Sequence, residues 1–279
     1  MSDERMLPPT VSSHPPIAPI RSSSHPPITT SAHRPHALIF VRMNLVFFTG
    51  AGVSAESGLR TFRDSDGLWE EYRIEDVATP QAFARDPSLV LHFYNLRREQ
   101  VLKAEPNAAH IAIAELENCT DTTGKKRFTV EVVTQNIDDL HERAGSARVL
   151  HLHGEIRKAR STRDPRLITP INGPHLVLGD RCALGSQLRP HIVWFGEEVP
   201  MLSKAAEIVE RADVLVVVGT SLQVYPAAGL VHHAPLDCPI HVVDPGPVGT
   251  GLKRVTHWNE KASLGVPKLA DRLIVEFGQ

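Results

Sequence analysis

The chain has 279 residues, and 30 Lys and Arg stand against 32 Asp and Glu, for a formal charge of −2. That near-balance provides no basic stripe for binding nucleic acid. No apolar run approaches the roughly 18–20 residues that a membrane helix needs; the run at 214–218 has five. Neither nucleic acid nor a membrane is therefore expected as a partner. Cys119, Cys182 and Cys238 are odd in number and far apart, which argues against a disulfide framework and fits a reducing compartment. Cytoplasmic residence is expected.

Residues 1–42 are unlike the rest. Eight of the 22 prolines fall there, and SSHPPI occurs twice. Proline at that density removes helix and ladder donors, and little apolar surface offsets the entropy of ordering. A disordered Ser/Pro/His-rich tail is expected. Four Arg against two acids make a mitochondrial transit peptide the alternative, but no amphipathic period supports it.

From residue 43 onward apolar runs alternate with helical patterns. Strands are expected at 44–48, 128–134, 149–152, 214–218 and 240–243, each β-branched or apolar enough to be buried on both faces. Helices are expected at 87–103 after an Asp-Pro signal, at 108–117, at 203–211, and at the C-terminus with Leu269, Leu273 and Phe277 on one face. The alternation implies an α/β fold, a doubly wound parallel Rossmann-like sheet. Two stretches break the rhythm, about 60–103 and 155–190, and are expected to leave the sheet as insertions forming a smaller second lobe. The catalytic domain would span 43–279, with its ligand in the cleft between lobes.

The first strand runs into GAGVSAESG. Gly50, Gly52 and Ala55 fit the G-x-G-x-x-G/A turn of dinucleotide sites: a tight turn, a close backbone approach to pyrophosphate, and a helix packed near it. A dehydrogenase would then show an acid at the end of a second strand about 20 residues on. Glu70 and Glu71 fall at that distance but within GLWEEY, which is not a strand end. TQNID follows the second strand, where open α/β sheets place ligand contacts. The side chains of Gln135, Asn136 and Asp138 suit ribose hydroxyls and a carboxamide; helix capping is the alternative use of Asn136 and Asp138. In HLHGE, His151 and His153 alternate along a strand end, so only one faces the cleft. Gly219, Thr220 and Ser221 end another strand with a small residue and two hydroxyls. Tyr94 and Arg97 are three apart on one helix face, a pair able to grip a carboxylate.

GAGVSAESG, LRTFRDSDGLW, TQNID, HLHGE, VWFGE and GTSLQVYPAAG, in this order, resemble the sirtuins, the NAD-dependent protein-lysine deacylases. The likeness runs from about Met43 to the C-terminus and is strongest to the class III branch, the bacterial and mitochondrial type that removes acidic acyl groups. It implies NAD as a consumed co-substrate. The NAD contacts implied are Gly50, Ala51, Gly52, Ser54, Ala55, Thr61, Phe62, Arg63, Trp69, Gln135, Asn136, Ile137, Asp138, Gly219, Thr220 and Ser221. Asp244 stands where the family usually has an Asn for the adenosine end, and Ala262 matches a small residue facing adenine. His153 would be the general base, a task that its unperturbed pKa of about 6.5 suits. Tyr94 and Arg97 would hold a succinyl or malonyl carboxylate, with Ala78 making room. Val193, Trp194, Phe195 and Gly196 would form an edge for an acyl-lysine peptide, Trp194 and Phe195 lining the lysine tunnel; a core role is the alternative for Trp194.

The likeness also implies a structural zinc on paired cysteines, yet residues 155–190 contain only Cys182, with Ser161 near the first expected position. No metal is expected. The activity implied is removal of succinyl, malonyl and acetyl groups from protein lysines, giving nicotinamide and O-acyl-ADP-ribose. The main alternative is a protein mono-ADP-ribosyltransferase using the same NAD site; a dehydrogenase and a catalytically silent acyl-lysine binder are the others. Acyl-lysine proteins or peptides are the expected partners, and the oligomeric state is left open.

Overall fold

The computed structural model describes residues 42–59, 72–247, 249, 251 and 254–277. The tail reading, apart from Arg42, lies outside the described residues, as do Thr61, Phe62, Arg63 and Trp69. Six strands form one parallel sheet: β1 (Met43–Thr49), β2 (Phe128–Thr134), β3 (Val149–His151), β7 (Val214–Val218), β8 (Ile240–Val243) and β9 (Val255–Trp258), in the order β3-β2-β1-β7-β8-β9. The α/β architecture is the one that strand–helix alternation implies. Val214 to Val218 are all inaccessible, as a strand covered on both faces must be.

Alternate residues feed two cores. Leu45, Phe47, Val130, Val132, Val216 and Val218 pack with helices Ala108–Leu116 and Ala262–Phe277. Val46, Phe48, Val133, Leu215 and Val217 pack with helix Leu202–Val209 and the 3₁₀ segment Ala227–His233. Each such side chain contributes about 1.5–3 kcal/mol by leaving water. The edge strand β9 was not legible in the sequence: four residues, VTHW, two of them exposed, carry too little apolar pattern.

Strands β4 (Gly154–Ser161), β5 (Ile168–Pro170) and β6 (Leu188–Ile192) form a separate antiparallel sheet, in the order β5-β4-β6. Its strands have no clean period because β4 reads GEIRKARS, with a register shift between Gly154 and Ala159. Strand β6 contains Pro190, tolerated because β6 is an edge with β4 as its one partner. The helix Pro87–Lys103 lies against this sheet, begun by Asp86, whose side chain accepts from Leu89 N at 2.9 Å, with Pro87 in the first turn. Val90, Phe93 and Tyr94 of the helix share an apolar cluster with Ile156, Ile192 and Trp194. Arg98, fully buried, straps the helix down: Nε donates to Ile156 O at 2.7 Å, and Nη1 to Pro174 O and Asn95 Oδ1, each at 2.8 Å. Asn95 in turn holds both Leu176 N and Leu176 O.

Candidate active site

Thr49 pairs with Thr134 and with Val218, and Val218 with Val243. The segments that follow those residues, Gly50 to Ala55, Gln135 to Asp138, Gly219 to Ser221, and Asp244, therefore emerge at the same edge of the parallel sheet. Beyond β1 the chain has neighbours on opposite sides, β2 and β7, so the edge contains the point where strand order reverses, the usual place for a ligand crevice.

The glycine turn packs first against protein. Gly50 N donates to Val218 O at 3.0 Å and Gly52 N to Gly219 O at 2.8 Å. A Cβ on Gly52 would lie 2.7 Å from Gly219 Cα, and one on Gly219, whose φ is +60°, would lie 2.4 Å from Val53 N. The hydrogen side chain of Gly52 is needed for the two turns to meet. Ala55 is exposed at the end of the short helix Gly52–Ala55, which corrects its assignment to close helix packing. Ala51 is half-buried beside Gly50.

Beneath this turn lies a buried polar cluster. Ser54 Oγ donates to Asp138 Oδ2 at 3.0 Å and accepts from Asn136 Nδ2 at 3.0 Å. Asp138 Oδ1 accepts from Leu140 N at 3.2 Å, so the carboxylate both starts the turn Leu140–Arg143 and faces Ser54. Burial raises the Asp138 carboxyl above its ordinary value, with the Leu140 and Ser54 hydrogen bonds opposing. His110, on another helix, sits 3.4 Å from Ser54 Oγ through Nε2 and accepts from Asn107 N through Nδ1. Accepting there requires a neutral ring, and burial pushes its pKa down to about 4. Gln135 Nε2 donates to Thr220 Oγ1 at 3.1 Å, joining the turns after β2 and β7 across β1. Ile137 is half-buried, and its carbonyl accepts from Ile156 N at 2.8 Å. Ser221 is half-buried next to Thr220, and Asp244 Oδ1 accepts from Gly246 N at 2.8 Å. Ala262 is only 3 % exposed within the core that contains Val243. Hydroxyls, amides and a carboxylate gathered at this edge fit the ribose and carboxamide groups of a dinucleotide. Glu56 was not foreseen: its carboxylate accepts from Ser263 N at 2.9 Å and Ser263 Oγ at 2.7 Å, tying the turn after β1 to the first turn of the C-terminal helix.

The two histidines of HLHGE are separated by their partners. His153 Nδ1 lies 3.0 Å from Gln135 O. A carbonyl accepts only, so Nδ1 carries the proton and Nε2 keeps its lone pair. Burial lowers the His153 pKa, the Gln135 bond partly opposing. His151 Nδ1 lies 2.9 Å from Asn136 O and its Nε2 2.7 Å from Glu142 Oε1. With acceptors on both nitrogens the ring is a cation; burial lowers its pKa, but the Glu142 hydrogen bond and charge outweigh that and raise it. His151 is thus a packed ion-pair partner. Gly154, at φ +84°, follows His153; a Cβ there would lie 2.0 Å from His191 O. A side chain at this position would collide with β6.

VWFGE is a turn after β6, tied to His153 because Val193 N donates to His153 O at 2.9 Å. Trp194 N donates to Glu197 Oε2 at 2.8 Å and Phe195 N to Ala78 O at 3.0 Å. None of those three N–H groups remains for an incoming strand, a correction to the edge reading on its donor side. Trp194 is 3 % exposed, in the cluster with Ala78 and Tyr94. Phe195 is 46 % exposed, followed by Gly196 at φ +89°. Arg189 and Arg160 both grip Glu197, Arg189 at 2.7 and 3.0 Å and Arg160 at 3.0 and 3.1 Å. Arg189 also stacks 3.3 Å above the Trp194 ring. Tyr94 is buried, and Arg97 is half-buried one turn on, close enough to Tyr94 and Asp138 to interact electrostatically.

The residues at the expected zinc position do not fit the metal. Ser161 Oγ lies 2.8 Å from Ser186 Oγ, which lies 3.1 Å from Cys182 Sγ, and Ser161 Oγ also accepts from Arg163 N and Asp164 N. The Asp164 carboxylate is taken by Arg166 at 3.0 Å, and that of Asp180 by Val177 N at 2.8 Å. Two hydroxyls and one thiol, bonded to one another, lack the four N, S or carboxylate ligands that zinc needs. Among the described residues no group of three or more His, Cys, Asp or Glu is placed to hold a metal ion, and no helix is long and apolar enough to cross a membrane.

The sequence model of the Sir2 family matches residues 50–226. An NAD-dependent protein deacylase of Bacteroides thetaiotaomicron is 49% identical over 243 residues, covering 83% of this chain and 98% of that protein. An NAD-dependent protein deacylase of Helicobacter pylori is 50% identical over 232 residues, covering 83% and 97%. Among solved structures, a Sir2 homologue in complex with NAD is similar at 42% identity and a TM-score of 0.75, over 84% of this chain and 90% of that one.

Proposed function

The chain belongs to the Sir2 family, and from that premise we propose that it is an NAD-dependent protein-lysine deacylase working best on succinyl and malonyl groups and also on acetyl. The observation that carries this reading is the His153 imidazole, its Nδ1–H directed to Gln135 O and its Nε2 lone pair available, at the sheet edge where the turns after β1, β2 and β7 meet. NAD is a substrate in this reading. Gly50, Ala51, Gly52, Ser54, Gly219, Thr220, Ser221 and Asp244 take its adenosine diphosphate end, and Gln135, Asn136, Ile137 and Asp138 its nicotinamide riboside end. The acyl oxygen attacks the ribose anomeric carbon as nicotinamide leaves. His153 Nε2 accepts the proton of a ribose hydroxyl, whose oxygen then attacks the acyl carbon. Addition of water completes the balance, giving free lysine, nicotinamide and O-acyl-ADP-ribose. A base whose pKa is held low by burial is unprotonated at neutral pH, as this step requires.

The acidic preference rests on Tyr94 and Arg97, one helical turn apart with Ala78 in the same cluster as Tyr94. A guanidinium and a phenol together supply donors for a carboxylate. Three free, dispersed cysteines support a cytoplasmic location. The test is mass spectrometry of NAD with succinyl- and acetyl-lysine peptides of one sequence. Loss of acyl mass together with O-acyl-ADP-ribose is the expected result. ADP-ribose mass gained on protein, or no turnover of either peptide, overturns the deacylase reading. Arg97→Met should lower the succinyl-to-acetyl ratio of kcat/KM by about 10–100-fold; an unchanged ratio removes the carboxylate clamp.

A further inference from the structure

Trp194 is 3 % exposed, and its one polar atom is committed. The indole Nε1 donates to the Tyr94 hydroxyl at 3.0 Å across a separation of a hundred residues, in a buried setting. An indole N–H donates only. The Tyr94 oxygen is therefore the acceptor in that bond, and the phenol's own proton is directed away from Trp194. We propose that Trp194 is a positioning residue for acyl-chain specificity: its N–H orients the Tyr94 hydroxyl so that the phenolic proton is presented to the carboxylate of an acidic acyl group.

This rests on the reading of Tyr94 and Arg97 as the carboxylate clamp. Three further observations support it. The indole is itself immobilised: Arg189 stacks on its ring at 3.3 Å, Phe83 packs at a centroid distance of 5.3 Å, and Glu197 fixes the backbone N–H of the same residue at 2.8 Å. Glu197 is in turn gripped by both Arg160 and Arg189, so the support extends to β4 and β6. Burial raises the Tyr94 pKa, with the Trp194 hydrogen bond and the charges of Arg97 and Arg189 opposing, so the phenol is a neutral donor at any physiological pH. A carboxylate accepts only, and a phenol whose proton is already turned toward it need not reorganise on binding. An acetyl group has no carboxylate and draws nothing from this arrangement. The residue preceding Trp194 donates to the backbone of His153, so the specificity device and the base are joined through one peptide.

The test is Trp194→Phe, which keeps an aromatic ring and deletes the N–H, read on matched succinyl and acetyl peptides beside Tyr94→Phe, Arg97→Met and the double variant of Tyr94 and Trp194. The inference expects Trp194→Phe to lower the succinyl-to-acetyl ratio of kcat/KM by about tenfold, mainly through the succinyl KM. The double variant should be no worse in that ratio than Tyr94→Phe alone, since one path is removed once. An unchanged ratio, or losses that multiply in the double variant, overturn it. If Arg97→Met also leaves the ratio unchanged, the clamp reading has failed; if Arg97→Met lowers it and Trp194→Phe does not, only the positioning role has failed. A second measurement does not depend on the Trp194 variant folding. The protein has three Trp, and the indole N–H resonance that moves in Tyr94→Phe should also shift when the wild-type protein binds a succinyl-lysine peptide, and less with the acetyl peptide. Equal response to both peptides, or none, overturns the inference.

Discussion

The two sheets are held by different means. In the parallel sheet the central strand β7 is apolar on both faces, and Val214 to Val218 contribute nothing but hydrocarbon to two cores. In the antiparallel sheet, a small apolar cluster of Leu91, Ala159, Ile171 and Leu176 is supplemented by single polar devices. Arg98 and Asn95 bind the loop after β5, Ser161 meets Ser186, and Glu197 joins Arg160 to Arg189. Non-directional burial is spread over many residues and tolerates variation. A directional contact acts only with both partners in place, and a buried polar group left alone costs more than the bond contributed. The proposed NAD edge belongs to the first kind of sheet, and the proposed acyl-specificity pair packs against the second.

That contrast is broken most severely by paired substitutions. Leu215→Ala, in a fully buried strand position, is expected to cost about 2–5 kcal/mol in denaturant unfolding through the lost burial and the cavity left behind. Arg98→Met is expected to cost about 3 kcal/mol by removing three hydrogen bonds to buried acceptors. Native-state hydrogen exchange separates them: the first should reduce protection across β1, β2, β7 and β8, the second chiefly over 154–192. Identical exchange patterns would show that the sheets unfold as one unit and that their different means of support have no thermodynamic counterpart.

Acid sharpens the comparison next, because the polar cluster under the parallel sheet contains His110, buried in neutral form with a pKa of about 4. The unfolded imidazole titrates near 6.5. Above that value both states are neutral and the full stability is present. As pH falls toward 4 the unfolded chain takes up a proton that the folded chain refuses, so stability declines by a few kcal/mol, about 1.4 per unit of difference. His141, buried beside His110 and also lowered by burial, adds in the same sense. Urea unfolding at pH 7.5 and pH 5 should show the decline; equal midpoints would mean that the cluster opens to solvent. The smallest effects belong to the hydroxyl cluster. Ser161→Ala should cost about 1 kcal/mol, and prolonged treatment with a strong chelator should leave the melting temperature unchanged. A chelator-induced drop would show that a metal closes this end of the small sheet after all.

Much of the large sheet was legible in sequence. Strands at 128–134, 214–218 and 240–243, and the helix at 87–103, stand where apolar runs and the Asp-Pro signal put them. The helix expected from 203 begins one residue earlier and ends at Val209, since the apolar face ends before Arg211. The small sheet was not legible, because β4 is basic and carries a register shift, and β6 contains Pro190. At the site, alternation along the strand separates His151 from His153, but what each ring does with its nitrogens follows from two acceptors, Gln135 O and Glu142, that come from elsewhere in the chain. Ala55 was a motif position whose surroundings differ from its motif reading.

By itself the amino-acid order determined the class of fold, the family likeness and the edge at which chemistry is possible, because strand burial and turn composition are local properties repeated along the chain. Only the tertiary structure decided which imidazole keeps a lone pair, why Gly52 must be glycine, what occupies the zinc position, and that Trp194 stands behind Tyr94. Each of those is set by a hydrogen-bond direction or a contact between distant residues, and neither composition nor spacing encodes the direction of a hydrogen bond.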